Sequence, residues 1–333
     1  MKQIIKPISF FQLICIFILL SLDLHVSNGK LFAQTNMSVK LNDNPAWLIP
    51  ADSLNTKRLG IFVGSTTVAY SATMYGLNNL WYSNFPRNSF HWINDLNEWQ
   101  QVDKMGHLIT PYLEARYVMQ MLEWTGVERR KAAIYAGITA FMFQNSIEIF
   151  DGFSKEWGAS ASDIGANFLG SALMTTQELV WGEQRMMLKI MPSFVHYHDI
   201  ELQRRSEELF GTGLIVRTIK DYNSLNAWLS INPASFNKSQ KRFRWLNIAV
   251  GYGAGGMFGG YENIWTDSEG VFHDRTDVVR YRKLMLSLDV DFSKIPVKSR
   301  YARALLDLLN IIKIPAPTIE FNSKGQVIFH PIL

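Results

Sequence analysis

The feature that most constrains this chain is a run from Leu59 to Pro86 that contains no Asp, Glu, Lys or Arg. A helix needs about 20 apolar residues to span a membrane, and this run is long enough. Ser, Thr and Asn are nevertheless scattered through it, and Gly60, Gly64 and Gly76 permit close helix packing in lipid or in protein. The run therefore predicts a helix that either contacts lipid or lies buried at the centre of a soluble bundle.

The N-terminus has the pattern of a secretory signal peptide over residues 1–33. Lys2 and Lys6 form a basic start, residues 8–22 are apolar, and the small residue Ala33 precedes the expected cleavage site. The alternative is an uncleaved anchor helix. The single cysteine, Cys15, lies within the apolar segment, so we expect a mature chain without disulfides or cysteine-based catalysis.

Composition and charge narrow the location and the partners. Charged residues make up 19% of the chain, against about 25% in typical soluble domains, which favours a large core or contact with lipid. Lys2, Lys6, Lys30 and Asp23 sum to +2 of the formal charge of +4, so the mature part carries about +2. The sequence contains no basic block of the kind that binds nucleic acid. We expect export to the cell envelope, periplasmic or membrane-associated, with membrane lipid as a partner and without nucleic acid.

The pattern along the chain predicts an α+β protein with a hydrophobic helical bundle of about four helices before a smaller antiparallel β-rich part. After the charge-free run, helices are expected at about Gln100–Trp124, Glu128–Phe150 and Ser160–Met187. The predicted segments are a signal peptide (1–33), an extended lead-in (34–58), a helical domain (59–190), a mixed connector (191–240) and a β-rich C-terminal part (241–333).

The C-terminal third alternates with a period of two. In "KLMLSLDVDF", Leu284, Leu286 and Leu288 fall on one face, while Met285, Ser287, Asp289 and Asp291 fall on the other. This predicts an antiparallel sheet with one apolar face that packs on the helices or meets lipid. "YARALLDLLNIIKI" predicts an amphipathic helix between the last strands.

Each of the three later helices carries a polar stripe. Helical spacing places Asp103, His107, Thr110 and Glu114 on one side of the first, Gln144, Glu148 and Asp151 on one side of the second, and Asp163 and Asn167 on one side of the third. Charged groups near lipid or in a core are costly unless paired, so the stripes are expected to face one another.

These stripes define a candidate polar cluster of Asp103, Lys104, His107, Glu148, Asp151, Asp163 and Asn167. Helix-borne carboxylates and histidines build metal sites in bundles, and a site of Asp103, His107, Glu148, Asp151 and Asp163 suits zinc, manganese, magnesium or calcium. The alternatives are a structural network in which Lys104 or Arg116 neutralises the acids, and solvated helix faces. Lys104 directly follows Asp103, so it points about 100° away on an ideal helix, which argues against its reaching the cluster.

Two other motifs match binding patterns only superficially. Gly251, Gly253 and Gly256 fit G-x-G-x-x-G, but no helix start follows, so no nucleotide cofactor is predicted and a bulge or close strand crossing is favoured. "HYHD", with His196, His198 and Asp199, has spacing that would suit a metal on a strand, but the segment is polar and reads as exposed.

The motifs "LNNLWYS", "DKMGHLITPY" and "EIFDGFSKEWGASASDIGANFLGS" resemble the YfiM-like family of predicted periplasmic lipoproteins over about residues 58–190. More distantly, VanZ-like membrane proteins share an Asp-Lys-x-x-His element, here Asp103 to His107, and a later Asp-x-x-x-Asn element, here Asp163 to Asn167. The resemblance implies an envelope location and singles out the polar cluster. The chain departs from the lipoprotein pattern because Cys15 follows bulky Ile14 and is a poor acylation site.

The sequence thus predicts a membrane-associated envelope protein whose polar cluster acts as a structural or binding network. The alternative is a metal-assisted hydrolase that acts on a lipid or a cell-wall component. The sequence assigns no reaction, and a divalent metal is the one cofactor that its residues suggest.

Overall fold

The computed structural model describes residues 46–80, 86–237 and 243–333. The predicted signal peptide, its cleavage after Ala33 and residues 34–45 of the predicted lead-in lie outside them. The helices are α1 (Thr56–Leu80), α2 (Val102–Trp124), α3 (Arg129–Gly152), α4 (Ala161–Trp181), α5 (Ile200–Phe210), α6 (Leu214–Lys220) and α7 (Arg300–Leu309). The strands are β1 (Trp92–Ile93), β2 (Ala159–Ser160), β3 (Met186–Pro192), β4 (Leu225–Ile231), β5 (Leu246–Gly255), β6 (Ile264–Thr266), β7 (Phe272–Asp274), β8 (Tyr281–Val290), β9 (Thr318–Asn322) and β10 (Val327–His330). The predicted α+β class, helices first, is confirmed.

Helices α2, α3 and α4 pack on one another and form the centre of the helical unit. Small residues of α3 make this packing close, because Ala132, Ala133, Ala136 and Ala140 are all fully buried. Helix α4 ends at Trp181, six residues before the predicted end. Gly182 adopts a left-handed conformation there (φ 68°), and its N–H bonds to the Glu178 carbonyl, which closes the helix.

Helix α1 lies at the side of this unit. Tyr70 ties it to α3, with its ring stacked on Phe143 at 4.6 Å. Val68 and Tyr75 are 70% and 71% exposed, so the alternative of a fully buried central helix is wrong. Within the described ranges, no helix is both long and apolar enough to cross a bilayer. Contact between the exposed face of α1 and lipid stays a prediction.

The sheet has six antiparallel strands in the order β10-β9-β8-β5-β4-β3. It starts earlier than the sequence suggested, because β3 begins at Met186 and β4 comes from the stretch that was predicted as a mixed connector. At the β3 edge, Ile190 pairs in parallel with Ile312, the segment that follows α7. The predicted amphipathic helix is confirmed as α7.

The period-two pattern of β8 is confirmed, and its polar side chains point inward. Leu284, Leu286 and Leu288 are 55%, 45% and 49% exposed, whereas Asp289 is fully buried. The buried polar groups pair with one another: Lys189 Nζ lies 2.7 Å from Asp289 Oδ2, which also accepts from Ser230 Oγ at 2.6 Å. The sheet therefore has a polar concealed side and an apolar outer side that the helices cover only near β3 and β4.

Candidate functional site

The start of α2 is set by an unusual backbone. Trp99, Gln100 and Gln101 all have positive φ values, of 47°, 51° and 62°. Non-glycine residues avoid this region, so three in a row require support from the surroundings. Trp99 supplies part of this support, because its ring is buried and its backbone N–H donates to the Gly260 carbonyl at 2.7 Å. This turn delivers Asp103 to the interior at the first turn of α2.

The start of α4 is held by Ser160, which caps the helix. Its Oγ accepts from the Asp163 N–H at 3.1 Å and donates to Asp95 Oδ1 at 2.6 Å. Its backbone N–H donates to Glu148 Oε2 at 3.0 Å. One serine thus connects the carboxyl group of Asp95 in the loop before α2, the carboxyl group of Glu148 near the end of α3 and the backbone of the first turn of α4. Aspartates in the first turns of α2 and α4 are also favoured by the helix dipoles.

Lys104 lies at the centre of these carboxylates. Its Nζ is 2.9 Å from Asp95 Oδ2, 3.1 Å from Asp103 Oδ2 and 2.6 Å from Asp163 Oδ1. The argument from ideal helix geometry, that Lys104 points away from the cluster, is therefore wrong. The lysine stem is long and flexible, so its ammonium group returns to the acid beside it despite the 100° offset between the two Cα–Cβ directions.

His107 lies one turn further along α2, between α3 and α4. Its Nδ1 is 3.2 Å from Asn167 Oδ1, and its Nε2 is 3.8 Å from both Glu148 Oε1 and Asp163 Oδ2. Burial disfavours the charged imidazole, but Asp163, Asp103 and Glu148 outweigh that effect and raise the pKa of His107 above its ordinary value of 6.5. The imidazole therefore sits in a strongly negative environment.

The site is enclosed, which makes the solvated-face alternative wrong. Asp103, Lys104, His107, Glu148, Asp151, Asp163 and Asn167 are each no more than 5% exposed. Single ligand atoms of Asp103, His107 and Asp163 all lie within 4.8 Å of one another, close enough that a contraction would bring them around one metal ion. Asp151 is buried one turn beyond Glu148, near the end of α3.

Other residues of the predicted stripes lie elsewhere. Glu114 pairs with Gln144 instead of the cluster, through Gln144 Nε2 and Glu114 Oε2 at 2.8 Å. Arg116 lies between β3 and α7, with its guanidinium 3.8 Å from Met187 Sδ and 3.7 Å from Asp307, so it does not neutralise the cluster.

Two members of the cluster were not found from the sequence. Tyr222 donates its hydroxyl to Asp103 Oδ1 at 2.9 Å, and Asp95 is fully buried beside Lys104. Both come from loops that share no helical spacing with the stripes. The only hint in the sequence is that Asp95 lies eight residues before Asp103 in an aromatic turn-rich segment.

The two other motifs also have structural roles. His196 and His198 are exposed, and Asp199 caps α5 and pairs with Arg275 at 2.9 Å, so "HYHD" forms no metal site. The glycines of the G-x-G-x-x-G match make close approaches, as predicted. A Cβ on Gly251 would lie 2.8 Å from the Trp228 ring, and one on Gly256 would lie 2.5 Å from the Val279 carbonyl.

A comparison with known protein families bears on this site. A family model described as "Predicted periplasmic lipoprotein (DUF2279)" covers residues 91–177, which run from just before β1 to near the end of α4. The matched region contains every member of the polar cluster except Tyr222. No curated protein and no solved structure matches the chain. The match supports a periplasmic-lipoprotein domain and confirms the predicted location in the cell envelope.

Proposed function

We propose that this envelope protein holds a divalent transition-metal ion between α2, α3 and α4, with Asp103, His107 and Asp163 as ligands. The observation that carries the proposal is the orientation of His107. Its Nδ1 faces the amide oxygen of Asn167, so that nitrogen carries the proton. The other nitrogen, Nε2, faces carboxylate oxygens of Glu148 and Asp163.

Asp163, Asp103 and Glu148 surround the imidazole with negative charge, which a proton on Nε2 or a metal ion between the groups would compensate. At 3.8 Å, both carboxylate oxygens are too far from Nε2 for a good hydrogen bond, which spans about 2.7–3.2 Å. Ligands about 2.0–2.2 Å from one ion are separated by roughly 3–3.6 Å, so a small contraction would complete a site. A metal-bound histidine commonly donates its other N–H to an oxygen acceptor, as His107 does toward Asn167.

The donor set favours zinc or manganese over magnesium or calcium. One imidazole with two or three carboxylates suits the borderline metals, whereas calcium and magnesium prefer oxygen ligands alone. The nearby ammonium group of Lys104 lowers the affinity for any cation, but it also neutralises part of the negative charge of Asp95 and the two aspartate ligands. The distant resemblance to VanZ-like proteins rests on Asp103, Lys104, His107, Asp163 and Asn167, which lends the site further support.

Elemental analysis of protein purified without added metal tests the proposal. We expect about one zinc or manganese ion per chain, lost in His107→Ala and in Asp163→Asn, and a melting temperature that falls when a chelator is added. His198→Ala, at an exposed histidine, is the matched control and should keep its metal. If the purified chain contains no metal, and if neither chelator nor added zinc changes its melting temperature, the proposal is contradicted. The cluster would then be a purely structural network around Lys104.

We also propose that the outer face of the sheet rests on membrane lipid. Apolar side chains of β5, β8 and β9 project outward in register, and Val250, Leu286 and Ile319 are each at least 38% exposed. Co-sedimentation with phosphatidylglycerol vesicles should fall for Leu286→Ser and stay unchanged for Ile200→Ser, an exposed apolar residue at the start of α5. Equal sedimentation of both variants would contradict this second proposal.

The hydrolase alternative has less support. The ligand side chains are no more than 7% exposed, so a lipid headgroup or glycan does not reach them in this conformation. Release of product from a lipid or cell-wall substrate by the metal-loaded protein, absent in His107→Ala, is the result that would favour it.

A further inference from the structure

The concealed polar side of the sheet contains three lysines, and their surroundings differ. Lys189 pairs with Asp289 at 2.7 Å. Lys313 donates to the Ile314 carbonyl at 2.8 Å and lies over the ring of Trp228. Lys283 is 9% exposed, and among the described residues its ammonium group has no hydrogen-bond or ion-pair partner.

The two carboxylates whose charges act on Lys283 both have other partners. Glu320 lies 3.0 Å from His330 and accepts from Asn322. Asp221 pairs with Arg217 at 2.9 Å and accepts from the hydroxyl of Ser224. Lys283 therefore keeps a positive charge that no single carboxylate of the fold compensates at short range.

Lys283 lines a cavity of about 640 Å³ at the end of the sheet where β5 ends and β8 begins. Volumes of about 300–1,000 Å³ are typical of small-molecule sites. The wall is largely apolar, with Val195, Val278 and Val279 opposite the strand residues. The polar lining residues are Tyr197, Asn223, Asp277, Tyr281, Lys283 and Lys324. The carboxylate of Asp277 is paired with Arg275, and the Tyr197 hydroxyl is buried without a hydrogen-bond partner among the described residues.

Glycines make this space possible. Gly253 leaves room for the lysine stem, because a Cβ there would lie 3.2 Å from Lys283 Cε and 2.3 Å from Asn226 Oδ1. Gly255 allows the ring of Tyr281 to lie against the backbone, with its hydroxyl 2.7 Å from where a Cβ would be. Two glycines within and beside the G-x-G-x-x-G match thus shape the wall of a cavity with a cation inside it.

We propose that this cavity binds an organic anion, a carboxylate or phosphate group joined to an apolar body, with Lys283 as its counter-ion. The anionic group would lie beside the ammonium of Lys283 and accept from the Tyr197 hydroxyl. The apolar body would contact the three valines and Tyr281. Lys324, whose ammonium lies 4.0 Å above the Tyr281 ring, adds positive potential at the mouth. Burial lowers the pKa of Lys283, as expected for a cation that lacks a close partner in the unliganded protein.

Isothermal titration of the full chain with octanoate and with octyl phosphate tests the proposal and separates the two headgroups. We expect octylammonium, with the opposite charge, not to bind, and acetate and inorganic phosphate, which lack an apolar body, to bind more weakly. Lys283→Met keeps the stem and removes the charge, and it should weaken octanoate or octyl phosphate binding about 10- to 100-fold, the effect of losing one charged hydrogen bond. Lys283→Arg should retain most of the affinity.

Lys298→Met, at an exposed lysine, is the matched control and should bind like the parent chain. A thermal melt shows whether Lys283→Met is folded. Because the substitution removes an uncompensated buried cation, its melting temperature should be equal to or higher than that of the parent chain. Equal affinity of Lys283→Met and the parent, or octylammonium binding as tight as octanoate binding, would overturn the proposal. Neither result depends on the metal content of the helical site.

Discussion

Glu114 and Gln144 meet in the buried interface between α2 and α3, and each is left with one oxygen that has no hydrogen-bond partner among the described residues. Gln144 donates to Glu114 Oε2 at 2.8 Å. Burial raises the pKa of Glu114 well above its ordinary value, and the bond from Gln144 offsets only part of that effect. A proton on Glu114 adds the donor that this pair lacks.

The first prediction concerns the effect of pH on stability through Glu114. Because the folded-state pKa is raised, the folded chain binds a proton that the unfolded chain has released, over the range between the two pKa values. The stabilisation is fully present below the ordinary pKa of 4.5 and is lost as pH rises through the raised pKa. Glu114→Gln should flatten that dependence and raise the free energy of unfolding at neutral pH, by about 1.4 kcal/mol for each pH unit between the ordinary pKa and either the raised pKa or the assay pH, whichever is lower. Urea melts at a series of pH values measure it, and a variant with the parent's slope would contradict it.

The second prediction concerns Lys104 in metal-free protein. Lys104→Met leaves three buried carboxylates without their shared ammonium, so the free energy of unfolding should fall by about 3–5 kcal/mol. Lys131→Met is the control, because Lys131 pairs with Glu128 at 3.2 Å on an exposed surface of α3, where such a pair contributes about 0–1 kcal/mol. Chemical denaturation in chelator compares the two. Equal losses would show that the central position of Lys104 has no energetic importance.

The third prediction concerns Lys189 and Asp289, both fully buried in the sheet. Lys189→Met should be strongly destabilising, by about 3–5 kcal/mol, because it leaves Asp289 buried without its cation. The double variant Lys189→Met/Asp289→Leu should lose less than the sum of the two single variants, since neither charge is then left alone. A double-mutant cycle of urea melts gives the coupling energy, and additive losses would contradict the pairing.

The helical periodicity of the sequence was sufficient to group most of the cluster. His107, Glu148, Asp163 and Asn167 meet because each lies on the inward face of its own helix, and that face follows from spacing. Asp95 and Tyr222 were missed because they lie in loops. The periodic spacing of residues in helices and strands does not predict where a loop places a side chain. Lys104 was grouped with the cluster from the sequence, and only the expectation from the direction of its Cβ was wrong, because a four-carbon stem reaches back to Asp103.

The sheet shows a similar limit. Alternation in β8 identified the strand and its two faces, but which face is buried depends on partners in distant strands. Asp289 is buried because Lys189 comes from β3, a segment whose seven residues MMLKIMP carry no clear period. The sequence of β8 alone, with its leucines on one side, would suggest the opposite orientation.

The last prediction uses two glycines of α4 as a matched pair. A Cβ on Gly170 would lie 2.0 Å from the Leu108 carbonyl oxygen and 2.9 Å from Pro111, so alanine there must push α4 away from α2. A Cβ on Gly165 would meet nothing within 4 Å. We expect Gly165→Ala to stabilise the chain by about 0.5–1 kcal/mol through helix propensity, and Gly170→Ala to destabilise it by about 1–3 kcal/mol through overpacking.

Because α4 also carries Asp163, the displacement should reach the metal ligands, and Gly170→Ala should bind zinc more weakly than Gly165→Ala does. Melting curves and zinc titrations of both variants measure the two effects, and a Gly170→Ala chain as stable as Gly165→Ala would mean that the helices are less closely packed than the structure indicates.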